Sequence, residues 1–222
     1  MYRTITRYYI YVLSASLLLP FLLSPIFSQS VPKGGLTGKV YNISFRQKPF
    51  HEALGEFAFK NHIPIGVQST DELENAVCAA PFDLEMHDVS IDEIMTAVMV
   101  HCPVYAWSIK DNVINVQPAV PEASLLDVHI TFLSAENKTT DEILESVIRS
   151  REMKSEMRSH DLKRDTSRIF PRNTVVEERY SVQLKDNSVR DILNYLLIST
   201  KSRYWVYYRL NASKNFFSVR VL

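Results

Sequence analysis

Few side chains in this sequence of 222 residues have a type and spacing that support chemistry. The candidates are the cysteines Cys78 and Cys102 and the histidines His51, His62, His87, His101, His129 and His160. The histidines form no H-E-x-x-H or other close ligand pair, and no G-x-S-x-G or C-x-x-C motif occurs. His101 beside Cys102 does not make a nucleophile and base, because neighbouring residues at a helix end point in different directions. The sequence therefore predicts no catalytic, cofactor-binding or metal-ligating residues, and no enzyme.

The glycine-rich stretch GGLTGK (34–39) is the other segment that invites a chemical interpretation. It lacks the spacing of a phosphate-binding loop, and it precedes the first predicted strand instead of following one. We interpret it as a flexible lead-in to the folded part of the chain.

The two cysteines are better suited to a structural bond. In an oxidising compartment, two thiols within one segment are expected to pair and to close a loop of about 25 residues, which contributes on the order of 3 kcal/mol to stability. Two buried free thiols are the alternative. A metal site fits less well, because Cys78 and Cys102 match no closely paired Cys/His ligand pattern. A disulfide requires their Cα atoms to lie within about 7 Å of each other.

Aromatic residues crowd the last predicted hairpin and raise the question of a partner site. Alternation along a strand sends Trp205 and Tyr207 to one face and Tyr204 and Tyr208 to the other. One face serves the core, and the other, if uncovered, offers an apolar surface for a protein partner or for strand addition. We therefore propose Tyr204, Tyr208 and Phe216 as partner-binding residues. The alternative is that both faces are covered within the fold.

A basic insert occupies residues 149–173 (RSREMKSEMRSHDLKRDTSRIFPRN), with eight basic and four acidic side chains. One interpretation is a solvated extension of the preceding helix that continues into a mobile segment. The other is a docking loop for an acidic partner or an anionic envelope surface.

A repeated pattern of elements positions these residues. The segment FDLEMHDVSIDEIMTAVMVHCPVYAW (82–107) matches YSVQLKDNSVRDILNYLLISTKSRYW (180–205) in residue class without a gap. In each copy, alternating apolar residues indicate a strand, and apolar residues at helical spacing follow a serine cap, Ser90 or Ser188. Alternation then resumes towards a closing hairpin. The repeated unit is strand, helix, strand, strand.

Two further copies are visible. One lies upstream, with a strand at residues 41–45 and a helix opened by Pro49. A degenerate one has a capping box at Thr139 and Glu142 and a predicted apolar strand face formed by Val128, Ile130 and Phe132.

The copies are grouped in pairs by the proline-containing stretch QPAVPEASLL (117–126), which is typical of a linker. We predict an α+β fold of two tandem modules, each made of two β-α-β-type units whose helices pack against small β-sheets. Module 1 is predicted at residues 31–118, the linker at 119–126, and module 2 at 127–222 with the basic insert inside it.

The first thirty residues predict export. Arg3 and Arg7 precede the uncharged apolar run YYIYVLSASLLLPFLLSPIF (8–27), and small residues suited to cleavage follow it. A cleaved signal peptide is favoured because two prolines interrupt the run, and an uncleaved membrane anchor is the alternative. Without residues 1–30, the chain has 23 basic and 25 acidic residues and a net charge of −2, which does not favour nucleic acid as a partner.

The stretch ISFRQKPFHEALGEFAFKNHIPIGV, followed by FDLEMHDVSIDEIMTAVMVHCPVYAWSIKDNVINVQP, resembles the secretin and TonB N-terminus short domain. The resemblance covers residues 41–118 well, although His62 and Val104 replace a frequent glycine and a frequent leucine of that family. Residues 127–222 match only in their second half. The resemblance implies a periplasmic module of the kind found at the front of secretins and of some TonB-dependent receptors, and it implies no catalytic residues.

Two function classes follow from these observations. The favoured one is a non-enzymatic interaction module of the cell envelope, located in the periplasm or anchored by its N-terminal segment. Its partner would be an envelope protein, such as an outer-membrane secretin or a TonB-dependent receptor system, contacted through strand edges. The alternative is a periplasmic binding protein that holds a small ligand or an envelope polymer between the two modules. A flat open strand edge favours the first, and a large polar cleft between the modules favours the second.

Overall fold

A computed structural model describes residues 36, 38–70, 78, 80–165, 178–210 and 215–222. All of these belong to one compact unit, Pro32–Leu222. The predicted signal segment at residues 1–30 lies outside the described residues, as do residues 166–173 of the basic insert.

The first half of the chain follows the predicted order of elements. These are β1 (Tyr41–Lys48), α1 (Phe50–Asn61), β2 (Ile65–Thr70), β3 (Phe82–Val89), α2 (Ile91–His101), β4 (Tyr105–Lys110) and β5 (Val113–Pro118). Helix α1 ends at His62, which takes the left-handed conformation (φ 55°). Helix α2 begins at Ser90, whose hydroxyl accepts from the Glu93 N–H while the Glu93 carboxylate accepts from the Ser90 N–H. The predicted capping box is confirmed.

The second half repeats this order with one helix added. Its elements are β6 (His129–Lys138), α3 (Thr140–Ile148), α4 (Arg151–Ser159), β7 (Lys163–Arg164), β8 (Tyr180–Ser188), α5 (Val189–Ser199), β9 (Tyr204–Leu210) and β10 (Phe216–Val221). Thr139 and Glu142 form the predicted capping box of α3. The described start of the basic insert forms α4, a separate helix, because the Ser150 hydroxyl accepts from the Met153 N–H and caps a new N-terminus.

One six-stranded sheet, which we call the central sheet, runs through the middle of the fold in the order β4-β5-β2-β9-β10-β7. Two antiparallel ribbons, β1-β3 and β6-β8, lie apart from it. Helices α1 and α2 share the first hydrophobic core with ribbon β1-β3 and one face of the sheet. Helices α3 and α5 share the second core with ribbon β6-β8 and the opposite face. The described chain is therefore layered as ribbon, helices, sheet, helices, ribbon, and the predicted α+β fold is confirmed.

The two halves meet inside the central sheet. Strand β2 of the first half pairs in parallel with β9 of the second, from Ile65 opposite Tyr204 to Thr70 opposite Arg209. The order β4-β5-β2 of the first half recurs as β9-β10-β7, with strand directions reversed. Where separate small sheets were predicted, one sheet joins the halves. The module boundaries at residues 118 and 127 stay predictions.

One backbone feature recurs at all four predicted copies of the unit. In each copy, the residue two positions before the helix cap has a positive φ angle: Gln47 (48°), Asp88 (52°), Asn137 (51°) and Asp186 (53°). Three of these residues lie at ribbon bulges, where the pairing register shifts. A side chain of the paired strand accepts the backbone N–H in three copies: Asp83 for Gln47 (2.7 Å), Asn42 for Asp88 (2.9 Å) and Ser181 for Asn137 (3.1 Å).

The fourth copy has no bulge at Asp186, because ribbon β6-β8 keeps its register from His129 opposite Ser188 to Phe132 opposite Lys185. Phe132 is 56% exposed, whereas Leu133 and Ala135 are buried. The prediction that Phe132 belongs to the apolar face of β6 is therefore wrong. Ile130 is buried as predicted, but the next buried residues are Leu133 and Ala135, so the alternation shifts by one residue at Phe132.

Replacing Asn42 by alanine should destabilise the fold by about 0.5–1.5 kcal/mol, because it removes the acceptor of the Asp88 N–H at the bulge. The free energy of unfolding in urea measures the change. Ser44→Ala, at an exposed position of the same strand, is the matched control and should leave stability unchanged. Equal stability of the two variants would contradict this role of Asn42.

Candidate functional site

The proposed partner residues do not lie at an edge. Strand β9 is an interior strand, covered by β2 on one side and by β10 on the other. Tyr204 is only 4% exposed, and its hydroxyl lies 3.3 Å from His51 Nδ1. The prediction that Tyr204 lies on a less protected side is therefore wrong. Tyr208 and Phe216 are half-buried, so they stay hypothetical contact residues.

The predicted alternation along β9 is confirmed, but both faces are covered. Tyr204 and Val206 face the first core, and Trp205 and Tyr207 face the second. Helices from each half pack on opposite faces of the same strand. A sequence interpretation that treats each module separately cannot anticipate the second cover, because it comes from the other half of the chain.

Strand β4 is the open edge of the central sheet. In the described part of the chain, β4 pairs with β5 alone. The Ala119 N–H donates to the Val104 carbonyl (2.8 Å), and this bond identifies which residues of β4 bond to β5. In an antiparallel pair, alternate residues bond to the partner strand, so the N–H and C=O groups of Trp107 and Ile109 point away from β5. These groups are the ones that an added strand would bond.

The side chains of β4 suit strand addition. Trp107 and Ile109 are half-buried against the first core, while Ala106 and Ser108 are exposed on the opposite face. The register with β5 runs without a shift, and neither a charge nor a proline occurs before Lys110, which pairs with Asp191 (2.5 Å). Proteins commonly protect edge strands with charges, prolines or bulges. Strand β4 has none of these between Tyr105 and Ile109.

The remaining strand edges are better protected. Ribbon β1-β3 shifts register twice and carries Arg46, Asp83 and Glu85 among its exposed side chains. Ribbon β6-β8 shifts register near Lys138. The outer edge of β10 is joined by β7 at Phe216 and Phe217. Strand β4 therefore offers the flattest open edge among the described strands.

An open groove with a volume of about 650 Å³ lies between α4 and the start of β6. Its wall includes Asp127, His129, Glu152 and Glu156. Glu152 is committed to the fold, because its carboxylate accepts from the Thr131 N–H (3.2 Å). Hydrogen bonding to the Thr131 side chain is the main cause that lowers the pKa of Glu152. The groove belongs to the second half and the linker, so it is not the cleft between modules that the alternative function requires.

No group of three or more histidine, cysteine or acidic residues in the described part of the chain is arranged to hold a metal ion. No described helix is long and apolar enough to cross a membrane.

Cys78 and Cys102 lie at disulfide distance, with their Cα atoms 5.1 Å apart. Both residues are buried in the first core. Cys102 caps the C-terminus of α2 and is followed by β4. The pair therefore ties the segment before β3 to the end of α2, beside the open edge.

A small cluster of hydrogen-bonded polar side chains links the second core to the central sheet where β2 and β9 pair. The Trp205 indole N–H donates to the Asn194 side-chain oxygen (2.8 Å), and the Asn194 amide donates to Asn115 Oδ1 (3.0 Å). Gly66 lies in β2 between Asn115 and Trp205 in register. A Cβ atom on Gly66 would be 2.0 Å from Trp205 Cε2. The indole therefore occupies the space of the missing side chain, a role that the sequence signals only through a lone glycine inside a strand pattern.

His51 is the most strongly perturbed histidine described. The residue is half-buried overall, but its Nε2 atom is shielded from solvent and its ring packs against Phe50 and Tyr208. Burial lowers the pKa of His51 to about 4. The ring nitrogen Nε2 is buried, so burial disfavours the protonated, charged form of the ring.

We expect acid to destabilise the protein through His51. Since its pKa is depressed on folding, the unfolded chain binds the proton more tightly between pH 6.5 and 4, and stability falls as pH decreases through that window. The loss between pH 8 and pH 5 should be about 2 kcal/mol. Urea unfolding of His51→Leu across this range should show a shallower slope, whereas His87→Gln, at an exposed position, should match the parent. Equal slopes in all three proteins would exclude His51.

No known protein family, curated protein or solved structure matches this chain.

Proposed function

We propose that this chain is a non-enzymatic protein-interaction module of the cell envelope that binds its partner through the open edge of β4. The observation that carries the proposal is this flat edge, with outward backbone groups at Trp107 and Ile109. Strand addition supplies affinity through main-chain hydrogen bonds and specificity through the alternate side chains. The described residues offer no competing cluster of metal ligands.

An envelope location is supported by three features. The apolar N-terminal run predicts export, the cysteine pair lies at disulfide distance, and residues 41–118 resemble the secretin and TonB N-terminus short domain. A partner within a secretin or TonB-dependent receptor system fits that resemblance. Such a partner is an envelope protein that presents an extended segment.

The test is capture of partners from an envelope extract by the purified chain and by edge-blocked variants. Lysines placed on an exposed strand edge oppose pairing. We expect Ala106→Lys/Ser108→Lys to reduce partner capture at least tenfold. The matched control is Ser44→Lys/Ser134→Lys, which adds the same charge at exposed positions of the two ribbons and should capture normally.

Two results would argue against the proposal. Equal capture by the edge variant and the control would exclude β4 as the binding edge. Selective loss of capture in Tyr208→Ala or Phe216→Ala, with the edge variant intact, would move the site to the last hairpin. Thermal unfolding of each variant must match the parent, so that lost capture is not lost folding.

A further inference from the structure

We infer that the segment bound by β4 pairs with it in parallel and presents a glycine opposite Trp107. This inference rests on the proposed function and specifies the chemistry of the partner. It follows from the way in which this chain already covers the equivalent edge in its second half.

Strands β4 and β9 are equivalent members of the repeat. Each follows a serine-capped helix and opens an antiparallel hairpin, with β5 or β10 as the second strand. Trp107 and Trp205 occupy the same place in the two aligned copies. The edges of β4 and β9 that face away from their hairpin partners are therefore equivalent surfaces, one open and one occupied.

The occupied edge shows what this surface accepts. Strand β2 pairs with β9 in parallel through six consecutive residues, which places Gly66 opposite Trp205. Any larger residue at that position would meet the indole ring, since even a Cβ atom would approach Cε2 to 2.0 Å. Trp205 therefore requires a glycine at the paired position of the added strand, and we extend this requirement to its repeat equivalent, Trp107.

The faces of β4 define the rest of the segment. Trp107 and Ile109 face the first core, so the added residues on that side gain apolar contact. Ala106, Ser108 and Lys110 are exposed on the other side, where β9 has the buried residues Tyr204 and Val206. The partner segment can thus be polar on alternate residues, unlike β2, which is buried on both faces.

This chain does not supply the segment from its own described strands. Gly66 is the only glycine in a described strand, and β2 is already held between β5 and β9. The repeat equivalent of β2 in the second half is β7, which consists of Lys163 and Arg164. The fitting occupant is therefore an extended segment of a different protein.

A peptide with the sequence of β2 and its two preceding residues, IPIGVQST (63–70), serves as the probe. Fluorescence anisotropy of the labelled peptide should show saturable binding to the purified chain, and the peptide with valine in place of its glycine should bind at least tenfold more weakly. Hydrogen exchange should slow at the Trp107 and Ile109 amides while β9 is unchanged. Trp107→Ala should remove most of the discrimination between the two peptides, because it removes the indole.

Each alternative outcome is distinct. No binding, equal binding of both peptides, or protection at β9 in place of β4 would overturn the inference. If the chain without peptide has the solution mass of a dimer, and Ala106→Lys/Ser108→Lys restores the mass of a monomer, the occupant of the edge is a second copy of the chain. This result would also overturn the inference. The capture experiment does not depend on the glycine. Capture that is lost in the edge variant, together with equal peptide binding, would leave the proposed function standing while the inference fails.

Discussion

Replacing Gly66 by alanine is expected to destabilise the fold by about 3 kcal/mol or more, at or above the upper end of the range for overpacking. The added methyl group would fall inside the Trp205 indole, which is fully buried and held by Asn194. The ring cannot move aside without breaking this hydrogen bond and disturbing the second core. Urea unfolding followed by tryptophan fluorescence measures the loss.

Gly55→Ala is the matched control for this substitution. Gly55 lies in α1, where a Cβ atom would meet nothing within 4 Å. Alanine is favoured over glycine in a helix interior by about 0.5–1 kcal/mol, so this variant should be more stable than the parent. Similar stability changes in the two variants would mean that the contact between Gly66 and Trp205 is not as described.

Loss of the cysteine pair should have the second largest effect. Cys78 and Cys102 are 24 positions apart, and a bond between them restricts the unfolded chain. The expected cost of Cys78→Ser/Cys102→Ser is on the order of 3 kcal/mol. Urea unfolding of the oxidised parent and of this variant, each with and without reductant, provides the comparison.

The reductant distinguishes a disulfide from two buried thiols. If the residues are bonded, reductant should lower the unfolding midpoint of the parent and leave that of the double serine variant unchanged. Two reactive thiols in the protein purified without reductant and then denatured would contradict the bond. In that case the stability cost of the variant would reflect only the burial of serine in the first core.

The local elements of this fold could be predicted from sequence because their signals are local. A helix cap or an alternating strand face depends only on residues a few positions apart. The structure has the caps at Ser90 and Thr139 as predicted. The cysteine pair was also predictable, since both residues belong to one half. Phe132 was misassigned because the degenerate strand β6 offers apolar residues on both faces.

The candidate site could not be predicted because it depends on which strands become neighbours. Tyr204 was expected near an edge, but β2 comes from the other half of the chain to cover β9. The same event leaves β4 open at the far side of the sheet. The aromatic residues of the last hairpin are numerous because both faces of β9 are buried. The number of aromatic residues in the sequence cannot distinguish such a buried strand from a binding surface.

The joint between β2 and β9 also has a consequence for how the chain folds. Ile65 pairs with Tyr204, which lies far along the sequence from it. The central sheet is therefore completed by contacts of large sequence separation. High contact order slows folding, and an unpaired strand edge makes intermediates prone to aggregate. Before β9 pairs with β2, an early folding intermediate has open strand edges at both β2 and β4. Refolding should therefore include a slow step whose yield falls as protein concentration rises.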